Sequence, residues 1–299
     1  MFDSEKPAEK RKRIERLLKD NNAFVQYYFP HYTEDKRTGK NTDIADFHDE
    51  WMTEVQRDPH FFGVAEWPRE HAKSVVNCVF VVMKLIATKQ LQGLVLGGKT
   101  ENAAIRLLSD VQAELQYNRR FISDFGEQFQ TGTWEKGEFV TKGGEFFLAI
   151  GRGQSPRGIR KGSKRPNVGI LDDIDDDEMC QNPSRIAETL KWIQGAFLGM
   201  LDIRQSRFMM CGNRIHPQSL LAHIVGDIDE NTPKNKAVYH SKVYATVDGT
   251  MEGAPTWWQK FTREDLQRKF QQMGYYMALR EFFHKAVIIG KVFKREWIR

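Results

Sequence analysis

The chain has 299 residues, of which 40 % are hydrophobic and 28 % are charged, as is usual for a globular protein with a sizeable core. No apolar run approaches the ~18 residues that span a membrane, so no transmembrane helix is expected. The three cysteines, Cys78, Cys180 and Cys211, lack metal-ligand spacing, and their odd number argues against a disulfide framework, so we expect a reducing cytoplasm. The net charge of +5 and the pI near 9.0 favour an anionic partner such as a nucleotide or nucleic acid.

The first predicted element is an amphipathic helix over residues 5–20, with Ile14, Leu17 and Leu18 on one side. Acidic residues are interspersed with the basic ones, which favours a solvated helix face over the alternative, a basic arm on DNA. Two aromatic segments follow, at residues 24–32 and 47–51. They are expected either to pack against a nucleotide base or to bury the N-terminal part of the chain.

A strand, a tight loop and a helix come next. Residues 61–65 form an apolar run typical of a strand, and Lys73-Ser74 opens a second apolar run, over residues 75–86, that predicts a helix. A strand, a tight loop and a helix in this order are typical of a phosphate-binding loop. Backbone N–H groups at the helix start can hold phosphate oxygens. Lys73 can pair with the β- and γ-phosphates, and Ser74 can bind Mg²⁺. The candidate nucleotide-binding residues are Pro68, Arg69, Glu70, His71, Ala72, Lys73, Ser74 and Val75.

The loop departs from the usual pattern at two positions. Glycine is expected at positions 67 and 72, where the chain has Trp67 and Ala72. These glycines would be dispensable if the backbone at positions 67 and 72 keeps a negative φ. The alternative is an ordinary strand-to-helix turn that ends in a surface lysine.

The following residues predict a parallel α/β sheet. Residues 91–98 read as a buried strand, and a helix begins at Thr100-Glu101, so strands and helices alternate. Short alternating segments over residues 131–150 predict β-hairpins inserted into the sheet or flanking it. A helix is expected over residues 183–202.

Two further strands end in polar side chains. Residues 167–173 end in Asp172 and Asp173, where a strand carboxylate would hold Mg²⁺ opposite Ser74 and a second carboxylate would orient the attacking water. Residues 207–213 end in Gly212-Asn213, and Asn213 is a candidate sensor of the γ-phosphate. The alternatives are that the acids cap a helix and that the asparagine serves a turn.

Two sets of arginines complete the candidate site. Arg69, four residues before Lys73, is a candidate for stabilising transition-state charge, the alternative being a surface arginine. The glycine- and arginine-rich loop over residues 151–161 carries Arg157, Arg160 and Lys161, which we predict to contact DNA or the nucleotide of a neighbouring subunit. The alternative is a flexible solvated loop.

The ordered set of motifs resembles the ATPase half of the large terminase subunit of tailed bacteriophages, the motor that packages DNA into procapsids. The resemblance runs from about residue 47 to residue 297 and rests on Phe47-His48 and on the strings at residues 68–74, 100–104, 155–160, 165–173, 212–216 and 219–221. Each string is short, but their order is fairly specific.

The resemblance implies a RecA-like P-loop ATPase with an extra strand, a mainly parallel central sheet covered by helices, a β-hairpin insertion and a small C-terminal linker subdomain. It implies Lys73 and Ser74 as Walker A residues, Arg69 as the loop arginine, Asp172 as the Mg²⁺ carboxylate and Asp173 as the catalytic carboxylate. Asp175 and Glu178 are fallback candidates for that last role. Gly212 and Asn213 would belong to the coupling motif of the family.

It also implies the domains and partners. We expect a helical and aromatic segment (1–45), the ATPase core (46–227) and a linker subdomain (228–299) without the nuclease domain of the family. The implied ligands are ATP and Mg²⁺, and the implied partners are double-stranded viral DNA, the portal protein, the small terminase subunit and further copies in a ring. The location would be the host cytoplasm.

Two other function classes stay open. A degenerate P-loop module that binds DNA or a portal without turnover is suggested by the missing glycines. A helicase-type ATPase would need a second RecA-like lobe, and nothing after residue 227 repeats the Lys-Ser or Asp-Asp pattern.

Overall fold

The structure is a computed structural model that describes residues 5–36, 38–155 and 162–285. The strands are β1 (Glu34–Asp35), β2 (Lys40–Asn41), β3 (Phe62–Glu66), β4 (Gly93–Gly98), β5 (Trp134–Glu135), β6 (Glu138–Val140), β7 (Phe146–Gly151), β8 (Val168–Asp172), β9 (Arg207–Gly212) and β10 (Tyr239–Lys242).

The helices are α1 (Pro7–Lys19), α2 (Asn21–Tyr28), α3 (Pro30–Thr33), α4 (Asp46–Arg57), α5 (Lys73–Val75, Val76–Phe80 and Val81–Ala87), α6 (Glu101–Tyr117), α7 (Arg119–Phe125), α8 (Asp177–Cys180), α9 (Pro183–Lys191, Trp192–Phe197 and Leu198–Met200), α10 (Leu220–Val225), α11 (Arg263–Met273) and α12 (Tyr275–Phe283). Helices α5 and α9 are continuous, and the middle segment of each is a π-helical turn.

Eight strands of the described residues form the central sheet, in the order β10-β3-β9-β8-β4-β7-β6-β5. The first six are mutually parallel, and the hairpin β5–β6 continues the sheet antiparallel to β7. The predicted fold class, a mainly parallel sheet with a hairpin insertion, is therefore confirmed. Strand β9 lies between β3 and β8.

Helices cover both faces of the sheet because side chains alternate along each strand. In β4, Leu94 and Leu96 pack into the core beneath α2, α4, α5 and α6, whereas Val95 packs into the core beneath α9 and α10. In β9, Met209 packs into the first of these two cores and Met210 packs into the second. Burial on both faces explains why these strands read as continuous apolar runs in the sequence.

The strand β10 was not predicted. We expected the alternation of strands and helices to end near residue 227, but Tyr239–Lys242 pairs in parallel with β3 as the outermost strand. Its four residues are half-buried or exposed and are mostly polar, so the sequence carries no apolar run there. The division into domains at residue 227 remains a prediction.

The C-terminal helices lie beside this edge of the sheet. Helices α11 and α12 share a small apolar cluster around Phe270 and Phe282, and Ala245 N donates to Phe282 O (3.0 Å), which ties α12 to the segment after β10. Glu281, on the buried side of α12, thereby lies near the loop after β3. Within the described ranges, no helix has the length and apolarity that crossing a membrane requires.

Candidate active site

The loop that joins β3 to α5 is held by aromatic and imidazole side chains. Trp67 is fully buried, lies edge-on to Phe47, and donates from Nε1 to Ser241 Oγ (2.9 Å) on β10. His48 Nε2 lies 3.0 Å from His71 O, and His71 Nδ1 lies 2.9 Å from Arg69 O. Burial lowers the pKa of both histidines to about 3, so both are neutral and can serve as fixed hydrogen-bonding groups.

The loop keeps a left-handed backbone without glycine. The negative φ that would make glycine dispensable is absent at Ala72, whose φ is +56°, and Glu70 has a φ of +65°. Ala72 is the residue directly before the helix α5. This conformation costs an L-residue about 1–2 kcal/mol, and the packing of the surrounding loop has to offset that cost. At Trp67, φ is not positive.

The structure brings Ser74 and Asp172 into contact. Ser74 Oγ, in the first turn of α5, lies 3.0 Å from both carboxylate oxygens of Asp172, at the end of β8. Cys211 Sγ lies 2.9 Å from Asp172 Oδ1. Burial and the charge of the neighbouring Asp173 raise the pKa of Asp172. A buried carboxylate of this kind gains from a cation beside it.

The donor set fits Mg²⁺ bound together with a phosphate. Mg²⁺ takes hard oxygen ligands and is usually held by one or two protein groups plus waters and substrate phosphates. A hydroxyl and a carboxylate meet at this point, at the N-terminal end of a helix that favours anions. Among the residues that the structure describes, no group of three or more His, Cys, Asp or Glu side chains forms an all-protein metal site.

Asp173 faces the cavity next to this contact, and the fallback acids have other partners. Asp173 is exposed, has a φ of +42°, and its Oδ1 lies 3.3 Å from where a Cβ on Gly212 would be. Asp175 is half-buried and accepts from Leu220 N (2.9 Å) at the start of α10. Glu178 pairs with Arg185 at the surface. All three acids line one cavity, so the choice of Asp173 as the catalytic carboxylate stays a prediction.

Arg69 and Asn213 share one carboxylate that the sequence did not indicate. Arg69 Nε donates to Glu281 Oε2 (3.0 Å), and Asn213 Nδ2 donates to the same oxygen (3.0 Å). Arg69 N also donates to Glu281 O (3.0 Å). One feature of the sequence could have pointed to Glu281: it is an acidic residue on the buried face of an amphipathic helix, between Ala278 and Phe282.

Two cavities adjoin the loop. A polar cavity of about 540 Å³ is lined by Arg69, Lys73, Asp173, Asn213 and Glu281, among others. A more apolar one of about 580 Å³ lies on the other side and is lined by Tyr32, His48, Ala72, Val75, Trp257, Phe261 and further residues. Tyr32 and His48 come from the two aromatic segments singled out in the sequence, whereas Phe24 and Trp51 from those segments are fully buried in the core.

The predicted DNA or subunit contacts Arg157, Arg160 and Lys161 lie outside the described residues. Arg152, at the start of the same loop, donates to Ile174 O (2.7 Å) and pairs with Asp176 (2.9 Å), which links this loop to the acidic segment after β8.

Comparison with solved structures shows which known proteins share this fold. No family model matches the sequence, and no curated protein matches it. Among solved structures, the large terminase of bacteriophage HK97 superposes with a TM-score of 0.59 at 12 % identity, covering 90 % of this chain and 55 % of that chain. The large terminase of a thermophilic bacteriophage gives a TM-score of 0.51 at 14 % identity, covering 82 % of this chain and 54 % of that chain. The chain thus has the fold of about half of these large terminases, and at this identity the likeness concerns the fold.

Proposed function

We propose that this chain is a Mg²⁺-dependent ATPase that serves as the motor domain of a viral DNA-packaging terminase. The observation that carries the ATPase proposal is the contact between Ser74 Oγ and the Asp172 carboxylate (3.0 Å), beside Lys73 at the start of α5. These two oxygen donors would hold Mg²⁺, which supplies charge neutralisation between the phosphates when it is bound.

The other residues take roles that follow from their positions. Backbone N–H groups at the start of α5 bind phosphate oxygens, and Lys73 adds a positive charge at the cavity. Asp173 accepts a proton from, or orients, the attacking water. Arg69 has a half-exposed side chain and supplies a cation to the γ-phosphate once it leaves Glu281.

The more apolar cavity would receive the nucleotide base. It adjoins the loop at Ala72 and Val75 and offers the side chains of Tyr32, Trp257 and Phe261. Lys260 lies over the Trp257 ring at 4.5 Å. Aromatic and aliphatic walls with a few polar groups are what a purine site requires.

The motor role rests on the fold and on charge. The large terminases named above share the fold, and the net charge of +5 suits a polyanionic track. We propose double-stranded DNA as that track. The portal protein, the small terminase subunit and further copies of this chain in a ring are the proposed partners, in the host cytoplasm.

Steady-state ATP hydrolysis, with and without double-stranded DNA, tests this proposal. Lys73→Ala is expected to lower kcat about a hundredfold or more, because it removes a charge that stabilises the transition state. Lys136→Ala, at an exposed hairpin lysine, is the matched control and is expected to leave kcat unchanged. Equal turnover in all three proteins would contradict the role given to Lys73. No turnover in the wild type would favour a module that binds without hydrolysis.

A further inference from the structure

A buried carboxylate lies directly behind the phosphate loop, at the end of β3. Glu66 is fully buried, and its Oε2 accepts from Arg214 (2.9 Å) and lies 3.0 Å from His240 Nε2. Lys242 Nζ is 3.4 Å and His284 Nδ1 is 3.9 Å from Oε1. Basic side chains from three other parts of the fold, namely the segment after β9, the strand β10 and the end of α12, therefore meet at one carboxylate.

Glu66 and Arg214 are both charged in this setting. Burial alone would raise the pKa of Glu66, but the hydrogen bond from His240 and the charges of Arg214 and Lys242 hold its pKa well below the usual range. Burial would lower the pKa of Arg214, but Glu66 and then Asp227 raise it further than burial lowers it. Arg214 is thus a fixed cation with a carboxylate at each end: Nη1 lies 2.7 Å from Asp227 Oδ2.

Each member of the pair lies close in sequence to a residue that lines the polar cavity. Glu66 comes three residues before Arg69, and Arg214 directly follows Asn213. On the other side of these two segments, Glu281 accepts from both Arg69 and Asn213 at 3.0 Å. The segments that carry the loop arginine and the amide are therefore joined twice, once at Glu281 in the cavity and once at the Glu66–Arg214 pair behind it.

We propose that Glu66 and Arg214 are positioning residues for hydrolysis: their ion pair fixes the phosphate loop relative to the segment that carries Asn213. This inference rests on the proposed ATPase function. Neither residue lines the polar cavity, so both act through the loops that they hold.

Stability alone is a weak reason for such a pair. The cost of desolvating two buried charges offsets much of their attraction, and well-packed apolar residues often do as well. What an arginine adds is geometry, because its planar guanidinium holds Glu66 and Asp227 at the same time in one orientation. A lysine keeps the charge but loses the two-ended contact.

The chain offers a matched control for this arginine. Arg13 also holds two carboxylates, Asp124 (2.6 Å), whose side chain is buried, and Glu5 (2.7 Å), but it does so in the N-terminal segment. It lines neither of the two cavities that adjoin the loop. Arg13→Lys should therefore weaken a comparable pair without touching the loops at the cavity.

The experiment compares ATP hydrolysis by the wild type, Arg214→Lys, Glu66→Gln and Arg13→Lys, together with their melting temperatures. We expect Arg214→Lys and Glu66→Gln each to lower kcat about tenfold or more, since a misplacement of about 1 Å in a positioned group costs up to about a hundredfold. The KM for ATP should stay within about twofold, because neither residue contacts the nucleotide itself. Arg13→Lys should keep the wild-type kcat.

The double variant with both changes should lose no more than the worse single variant, because the two residues act as one unit. Wild-type kcat in Glu66→Gln and Arg214→Lys, or an equal loss in Arg13→Lys, would overturn the inference while leaving the ATPase proposal intact. Absence of turnover in the wild type would overturn both.

Discussion

Ala72 has a left-handed backbone directly before Lys73, a position where a side chain is normally avoided. The usual glycine of a phosphate loop allows this conformation at no steric cost. Here the same conformation is retained with a methyl group, while Trp67 fills the space below the loop and binds Ser241. At the residue scale, the left-handed backbone conformation that glycine would allow is therefore present at position 72 without glycine.

The first prediction concerns this strained residue. Ala72→Gly relieves about 1–2 kcal/mol of strain, while the added freedom of glycine in the unfolded chain offsets about 0.4–1 kcal/mol of that gain. We therefore expect the free energy of unfolding, measured with urea, to rise by about 0.5–1 kcal/mol. Ala113→Gly, at an exposed position of α6, is the control and should lose about 1 kcal/mol. A comparable loss in both variants would show that Ala72 is not strained.

The sequence was most informative about residues at strand ends. Ser74, Asp172 and Asn213 could be assigned to one edge of the sheet because the carboxyl ends of parallel strands lie side by side. Glu281 could not, because it is separated from Arg69 by more than two hundred positions and belongs to no motif. The φ of Ala72 could not be predicted either, since local preference favours a negative value and the packing around the loop overrides it.

At the scale of elements, β10 is the feature that joins the C-terminal part of the chain to the loop. The strand pairs in parallel with β3, from Tyr239 opposite Gly63 to Lys242 opposite Glu66. Three of its side chains have functional neighbours: Ser241 accepts from Trp67, and His240 and Lys242 contact Glu66. A polar edge strand resembles a loop in sequence, and only its pairing with β3 reveals what its side chains reach.

The second prediction tests this attachment. Ser241→Ala removes the acceptor of the buried Trp67 indole N–H, and an unpaired buried donor costs about 1–3 kcal/mol. We expect a loss at the lower end of that range in the free energy of unfolding, because Ser241 is only half-buried. Ser184→Ala, at an exposed helix position, should change stability by no more than about 0.5 kcal/mol. Equal values for the two variants would mean that the indole finds its partner elsewhere.

At the scale of the whole molecule, the alternation of strands and helices predicted a parallel sheet, and the structure bears this out. The strand order could not be read from the chain, because the insertion of β9 between β3 and β8 depends on tertiary packing. That order sets one strand, β9, between β3, which precedes the loop, and β8, which ends in Asp172.

The third prediction concerns the pH dependence of folding. Burial lowers the pKa of His48 and His71 to about 3 and of His284 to about 4, below the unfolded value of 6.5. Below pH 6.5 the unfolded chain therefore binds protons that the folded chain does not, and stability falls. Asp175 has the opposite effect on stability. Burial raises its pKa to about 6, so below that pH the folded chain binds a proton that the unfolded chain does not, and stability rises.

Because the histidines outnumber Asp175 and Asp172, whose pKa is also raised, we expect the free energy of unfolding in urea to fall between pH 7 and pH 5. Asp175→Asn removes one opposing group and keeps the acceptor for Leu220 N, so the decline should be steeper in this variant. A wild-type protein that gains stability over this interval would contradict the burial of the neutral histidines.

The most direct test of the whole account is the Mg²⁺ dependence of ATP binding, measured by titration calorimetry on the wild type and on Asp172→Asn. We predict that the wild type binds ATP more tightly with Mg²⁺ than in EDTA, and that Asp172→Asn binds ATP in EDTA at least as well but gains little from Mg²⁺. The variant should melt at or above the wild-type temperature, since it loses a buried charge. A full Mg²⁺ gain in Asp172→Asn, or no ATP binding by the wild type, would contradict the site.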